Sequence, residues 1–181
     1  PYGLLGGVLF VLLFLQHGAN WLVIKTTGDL QQRAISVSKT VWLILVPVAV
    51  IFLIASSFAT DLYANYFETP VFFIVILVTV LALLSMRLFI AKQKAWKAWF
   101  ASALTIVGAT FFGVIGLFPA LFPSSTDKAF SLTAFNASSS PLTLKIMLGV
   151  VIVFIPIVLI YQTVAFNMFK NPVTEEDLDA P

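Results

Sequence analysis

The sequence predicts an all-α membrane protein with five transmembrane helices. Of its 181 residues 60% are hydrophobic and 10% are charged, too little polar surface for a soluble domain of this size. The charges lie in short clusters between apolar runs of about twenty residues, the length that a helix needs to cross roughly 30 Å of hydrocarbon. The runs lack the alternation of barrel strands, and in lipid a helix satisfies its own backbone polar groups.

The apolar runs define five predicted helices. They cover residues 3–24, 41–59, 71–90, 99–121 and 142–169. We expect one transmembrane domain over residues 1–170, built as a four-helix bundle with one additional peripheral helix, and a cytoplasmic tail at residues 171–181. Pro47 and Pro156 lie inside apolar runs, where proline predicts a kink.

The charges between the spans predict the orientation of the chain. Basic residues lie at the end of the first, third and fifth spans or after them: Lys25, Arg33, Lys39, Arg87, Lys92, Lys94, Lys97 and Lys170. The other two connections carry Asp61, Glu68, Asp127 and a single basic residue, Lys128. Because lysine and arginine are enriched in cytoplasmic connections, this alternation predicts an N-out/C-in topology. The tryptophans Trp21, Trp42, Trp96 and Trp99 lie at the basic ends of spans, where we expect them at headgroup depth.

The composition also limits the chemistry that the chain can perform. There is no cysteine, which excludes disulfides, thiolate metal sites and thiol catalysis. The net charge of +2 is too small to indicate a nucleic-acid partner. We find no paired carboxylates, catalytic triad or metal cluster, so we assign no catalytic, cofactor-binding or metal-binding residue. The chain starts at Pro1 and no cleavage site follows its first span, so we expect a processed chain or a piece of a longer polypeptide.

His17 is the only histidine, and it lies in the first span beside Gln16 and Asn20. An ionisable residue inside the membrane is a functional candidate, here as a haem or metal ligand or as part of a proton path. The alternative is a neutral histidine that is hydrogen-bonded to Gln16, Asn20 or a neighbouring helix. We favour this alternative, because one histidine cannot form a bis-histidine site and no span carries a carboxylate.

Other residues predict how the helices pack. Small residues allow close helix approach, and glycines occur on spans one and four: Gly3, Gly6, Gly7, Gly18, Gly108, Gly113 and Gly116. The third span, whose middle has no polar residue except Thr79, is expected to face lipid. Arg87 and Lys145 lie near span ends and are expected to extend to the interface. Lys145 could instead pair with Asp127 or with an acidic group on a partner.

The longest connection, residues 122–141, is predicted on the outer side. It ends in a run of serines followed by Pro141, which predicts a capped helix start. At about twenty residues it is long for a compact bundle. We expect it either to contact a partner or to be mobile.

Two stretches carry a family resemblance. The first runs from Tyr2 to Gly7 and continues from His17 to Gly28, and the second runs from Ser131 to Met147. Together with the helix layout, they resemble the C-terminal half of subunit II of the cytochrome bd ubiquinol oxidases, over nearly the whole chain. Arg33-Ala34 and Pro156 fit that pattern as well.

The resemblance implies a non-haem-ligating subunit of a quinol:oxygen oxidoreductase in the bacterial cytoplasmic (inner) membrane. Haem b, haem d and the quinol-oxidising loop would belong to subunit I, against which this chain would pack. A small accessory subunit and a bound quinone are further implied partners. No haem ligand is carried over to any position, because His17 matches a family histidine that packs within a helix. The family's N-terminal half, with acidic residues linked to proton delivery, has no counterpart here.

Two other functions remain open from the residues alone. A secondary transporter component would place polar or broken segments at the midplane, but here the spans are apolar apart from Gln16, His17, Ser56 and Ser57. A membrane scaffold or assembly protein is the other alternative. Co-purification with a haem protein separates both from an oxidase subunit.

Overall fold

The structure is a computed structural model that describes residues 2–124 and 126–174. The predicted acidic tail, from Glu175 onwards, lies outside the described residues. The helices are α1 (Tyr2–Lys25), α2 (Gly28–Ala59), α3 (Ala64–Glu68), α4 (Phe73–Ala91), α5 (Ala95–Leu117) and α6 (Pro141–Met168). Short 3-10 turns occur at Pro70–Phe72 and Lys128–Phe130, and β1 (Ala120–Phe122) pairs antiparallel with β2 (Leu132–Thr133).

The prediction of an all-α protein with membrane-spanning helices is confirmed. Within the described residues, five helical segments are long and apolar enough to cross a membrane: Tyr2–Lys25, Gly28–Ala59, Pro70–Ala91, Ala95–Leu117 and Pro141–Met168. The helices continue through Pro47 and Pro156. The N-out/C-in orientation and the peripheral position of the fifth long helix stay predictions.

The second long helix begins much earlier than its apolar run. α2 starts at Gly28, whereas the apolar residues begin at Val41. Arg33 and Lys39 therefore lie on a helix, and the connection from α1 is only residues 26–27. Gly28 has a φ of 65°, a left-handed conformation that glycine adopts without strain. An apolar run marks the part of a helix within lipid, so it misses a polar extension beyond the hydrocarbon.

One compact unit comprises, among the described residues, 2–118 together with Val173 and Thr174. In it α1 packs against α2 and α5, and α4 packs against α5, which forms a four-helix bundle. The buried core includes Leu13, Leu45 and Met86. The backbone N–H of Val173 donates to the carbonyl of Lys25 at 2.8 Å, which pairs the chain after α6 with the end of α1.

The second unit, Pro119–Pro172, contains the β1–β2 hairpin and α6. The hydroxyl oxygen of Ser140 accepts from the backbone N–H of Thr143, with Pro141 at the first helical position. The predicted helix start is therefore confirmed. α6 is described throughout, and none of its residues is buried in this chain.

The packing of α4 restricts the expectation that the third span faces lipid to one side of the helix, where residues such as Leu81 and Leu88 are exposed. One face of α4 buries Ala82, Leu83 and Met86. At Gly108 of α5 an added Cβ would collide with the side chain of Thr79 on α4. The hydropathy of the sequence did not distinguish a helix face buried in the bundle from one exposed to lipid, because lipid tails are as apolar as a leucine core.

Candidate functional site

Three buried polar side chains join α1 to α2. Gln16 and Ser38 are fully buried and Asn20 is 2% exposed. The Gln16 amide donates to Ser38 Oγ at 2.7 Å and to Asn20 Oδ1 at 3.3 Å, while the Ser38 hydroxyl donates to Asn20 Oδ1 at 2.7 Å. Asn20 Nδ2 donates to the carbonyl of Ala98 on α5 at 3.4 Å. We call Gln16, Asn20 and Ser38 the amide cluster; it connects three helices through hydrogen bonds between buried side chains.

The amide cluster is not fully satisfied. Gln16 Oε1 is buried and has no hydrogen-bond partner among the described residues. A buried acceptor without a donor costs about 1–3 kcal/mol, and an ordered water often supplies the missing bond.

His17 lies next to the amide cluster but bonds to a different helix. Its Nδ1 is 2.8 Å from Ser102 Oγ on α5, and the Ser102 hydroxyl donates to the Trp99 carbonyl at 2.7 Å. Because the hydroxyl proton is used in that bond, His17 Nδ1 carries the proton that it donates to Ser102. The His17 ring also packs on Trp99, with ring centroids 5.0 Å apart.

A cavity of about 180 Å³ lies between the four helices on the side of the α1–α2 and α4–α5 connections, which we call the basic end. It is lined by Asn20, Val23, Gln31, Gln32, Ile35, Ile90, Gln93, Ala95 and Ala98. Gln31 Nε2 donates to the carbonyls of Val23 and Thr26 at 3.0 and 2.9 Å, which caps the last turn of α1. The amide cluster thus meets a polar cavity at Asn20.

A second, apolar cavity of about 60 Å³ lies deeper in the bundle. Its lining includes Leu13, Leu45, Phe52, Leu83 and Phe112. Its two hydroxyls, on Thr79 and Thr105, donate to carbonyls of their own helices. With its donors already used, this space offers little to hold water.

The opposite end of the bundle, which we call the aromatic end, is closed by α3. Tyr66 is fully buried, and its hydroxyl donates to the Phe112 carbonyl on α5 at 3.0 Å. Asn65 Nδ2 donates to the carbonyls of Ile115 and Phe118, which caps α5. Burial, with a smaller contribution from Tyr63, raises the pKa of Tyr66 to about 12.

Comparison with known proteins decides the family. The model of the family described as cytochrome bd terminal oxidase subunit II matches residues 1–169. The chain belongs to this family. It is 31% identical to the cytochrome bd ubiquinol oxidase subunit 2 of Bacillus subtilis (strain 168) over 97% of this chain. It is 32% identical to a probable cytochrome oxidase subunit 2 of Haemophilus influenzae over 92%, and 30% identical to the cytochrome bd-I ubiquinol oxidase subunit 2 of Escherichia coli (strain K12) over 99%.

The chain spans about half the length of these curated relatives. The matches cover 52%, 51% and 54% of the three proteins. The family resemblance expected from the sequence is therefore confirmed for this chain, while the expectation that it corresponds to the C-terminal half of subunit II stays a prediction.

His17, the candidate haem ligand from the sequence, is hydrogen-bonded to Ser102 and packs on Trp99. His17 lines neither of the cavities enclosed by the four helices, and both are smaller than the 300 Å³ or more that ligands of drug size occupy. In residues 2–124 and 126–174, no group of three or more His, Asp or Glu could hold a metal ion. The hydrogen bond of His17 to a neighbouring helix matches the structural alternative proposed from the sequence.

Other predicted residues have varied environments. Arg87 lies over the Trp42 ring with its guanidinium carbon 5.8 Å from the centroid, but its Nη1 atom is buried without a partner. It therefore does not simply extend into solvent. Lys145 is exposed on α6. Gly108 and Gly116 lie in close contacts, whereas a Cβ at Gly3, Gly7, Gly18 or Gly113 would meet no atom within 4 Å.

Sequence reasoning did not identify Ser38 or Ser102. The spacing of Gln16 and Asn20 places both on one helix face, and buried amides require partners. That requirement predicts a polar residue on a facing helix. It does not say which serine supplies the partner, since serines also bond to their own helix, as Ser102 does here.

Proposed function

We propose that this chain forms all or part of the haem-free subunit of a cytochrome bd-type quinol oxidase in a bacterial inner membrane. The complex would couple the oxidation of two quinols to the reduction of one O₂ to two waters. The match of residues 1–169 to the subunit II family carries this proposal. Haem b and haem d would reside in subunit I, with quinol as the electron donor. A small accessory subunit and a bound quinone complete the proposed complex.

The contacts that His17 makes within the bundle support an indirect role for this chain. Its one histidine is engaged by Ser102 and Trp99. We infer that the chain covers one face of subunit I and keeps its haem environment dry, which helps to set haem potentials.

The hairpin segment offers a surface for that contact. Phe122, Phe130 and Phe135 are 71%, 73% and 75% exposed. Their segment is ordered by its own hydrogen bonds: Asn136 Oδ1 accepts from the Thr133 N–H at 2.6 Å, and Asn136 Nδ2 donates to the Ser131 carbonyl at 3.0 Å. Grouped exposed phenylalanines are typical of an interaction surface, so we infer that residues 122–141 contact a partner.

A reduced-minus-oxidised visible spectrum of the affinity-tagged chain, purified gently from native membranes, tests the proposed function. We expect b-type and d-type haem bands that leave with the larger partner when the complex is dissociated. A colourless preparation without a haem protein would refute the proposal and favour a transporter or scaffold. Phe130→Ser with Phe135→Ser should reduce the haem that is recovered per chain, whereas Phe67→Ser, also on an exposed residue, should not.

The orientation can be tested by cysteine labelling, because the chain has no cysteine of its own. We propose that the α1–α2 turn is cytoplasmic and that the hairpin segment is on the outer side. In intact cells a membrane-impermeant maleimide should label Ser124→Cys and not Thr27→Cys, and permeabilised cells should label both. The reverse pattern would contradict the N-out/C-in topology.

A further inference from the structure

A surface groove runs between α4 and α5 on the outside of the bundle. Its volume is about 300 Å³. Ala82, Ser85 and Phe89 line it from α4, and Lys97, Phe100, Ala101 and Leu104 line it from α5. The two alanines form its floor, since they are only 6% and 7% exposed, whereas Phe100 and Leu104 are 61% and 46% exposed.

The groove is apolar along its length and cationic at one end. The Ser85 hydroxyl donates to the Ala82 carbonyl at 2.9 Å, so it offers no free donor to a ligand. Lys97 is exposed and lies in the first turn of α5. Leu104 follows it by seven residues, a distance of about 10 Å along the helix axis. The lining therefore changes from charged to apolar from the basic end towards the middle of the membrane.

The charges around the groove favour an anionic occupant. The α4–α5 connection adds Lys92 and Lys94 to Lys97, and no acidic residue occurs between Leu88 and Trp99. Clustered lysines beside a transmembrane helix attract acidic lipids by about 1 kcal/mol for each charge near the surface. A protein partner would have to bring a carboxylate to Lys97, whereas a lysine in the first turn of a membrane-spanning helix is expected at the depth of the lipid phosphates.

We propose that the α4–α5 groove binds an anionic phospholipid, with its phosphate at Lys97 and one acyl chain over Ala82 and Ala101. Lys97 selects the headgroup by charge. Phe100 and Leu104 contact the chain, and the small side chains of the floor leave it room. The site does not depend on the proposed oxidase activity, because it requires only that α4 and α5 span a bilayer.

A photoreactive phosphatidylglycerol with a diazirine in its acyl chain tests the site. The protein is purified as its native complex and reconstituted in phosphatidylcholine vesicles that contain a small fraction of the probe. After irradiation, peptide mass spectrometry should locate the label within residues 100–104. Unlabelled phosphatidylglycerol should compete about fivefold more effectively than phosphatidylcholine, the ratio that corresponds to about 1 kcal/mol.

Two pairs of variants separate headgroup selection from chain binding. Lys97→Gln should remove the fivefold preference, whereas Lys39→Gln, on an exposed residue of α2 outside the groove and its lysine cluster, should retain it. Ser85→Phe should fill the groove and reduce labelling, while Leu84→Phe, on an exposed neighbour, should not. Equal competition by the two lipids in the unmodified protein would overturn the anionic assignment. Absence of label from residues 100–104, with label found elsewhere on the chain, would overturn the site.

Discussion

Towards the basic end of the bundle a buried polar cluster joins the helices beside partly exposed tryptophans, whereas at the aromatic end a fully buried tyrosine among aromatic rings joins them. At the basic end Gln16, Asn20 and Ser38 link α1, α2 and α5 through short hydrogen bonds. At the aromatic end Tyr66 packs against Phe73 and Phe112, with ring centroids 5.5 and 5.6 Å apart. The first arrangement depends on which polar groups meet, and the second depends on shape.

The difference between the two ends shows two ways in which helices in a membrane pack specifically against one another. Apolar contact alone hardly distinguishes a helix from lipid, so specificity comes from hydrogen bonds or from close steric fit. Interhelical hydrogen bonds in membranes average about 0.6 kcal/mol, while truncation of a buried aromatic side chain costs about 3–5 kcal/mol. We therefore expect the aromatic end to contribute more to stability and the amide cluster to contribute more to helix register.

The largest effect is expected at Tyr66. Tyr66→Ala should lower the free energy of unfolding by about 3–5 kcal/mol, because it opens a cavity among buried rings. Unfolding by SDS titration from a mild detergent measures this change. Phe67→Ala is the control, since Phe67 is 73% exposed and should change stability little. Equal losses in the two variants would contradict the importance assigned to the aromatic end.

The second-largest effect is expected at Gly116, which packs closely against Leu62 at the aromatic end. A Cβ on Gly116 would lie 2.7 Å from the backbone oxygen of Leu62, which cannot rotate away. Gly116→Ala should therefore cost about 1–3 kcal/mol, despite the better helix propensity of alanine. Gly113→Ala meets no atom within 4 Å and should be neutral or slightly stabilising. The thermal unfolding midpoints of the two variants in detergent test this prediction. A Gly116→Ala variant that is more stable than the unmodified protein would show that the contact of Gly116 with Leu62 is loose.

A double-mutant cycle measures the coupling free energy between Asn20 and Ser38 in the amide cluster. Asn20→Leu should cost about 1–2 kcal/mol, because it leaves the Gln16 amide and the Ser38 hydroxyl short of an acceptor. Ser38→Ala alone should cost less. The double variant should show a coupling of about 0.5–1 kcal/mol, since the two side chains share a hydrogen bond. Additive losses, measured by the same SDS titration, would mean that the cluster does not act as a unit.

The smallest effect is confined to alkaline solution. The pKa of Tyr66 rises from 10.0 to about 12 on folding, so above pH 10 the unfolded chain loses this proton first. The stabilisation is fully present below pH 10 and decreases as the pH rises towards 12. Tyr66→Phe should make the thermal midpoint less sensitive to pH in that range. If the thermal midpoint of Tyr66→Phe depends on pH above 10 as strongly as that of the unmodified protein, the loss of stability comes from other groups. Tyr63 is one such group, since its pKa is also raised.

The sequence alone determined the class of the protein, the number of its long helices and its family. The class and the helix number depend on the composition and on apolar runs long enough to cross the bilayer. The family depends on motifs such as those around His17 and Pro141. The helix start at Ser140 was also predictable, because capping is a local interaction. The need of Gln16 and Asn20 for buried partners followed from their chemistry.

Only the tertiary structure decided which side of each helix is buried. α4 is apolar on all sides, yet it buries Met86 completely, whereas Leu81 and Leu88 of the same helix are 56% and 60% exposed. The same structure decided that Ser38 meets Gln16, that Ser102 meets His17, and that Ala82 and Ala101 form the floor of a groove. A leucine contributes equally to hydropathy against lipid and against protein. Its environment therefore depends on which helix lies beside it.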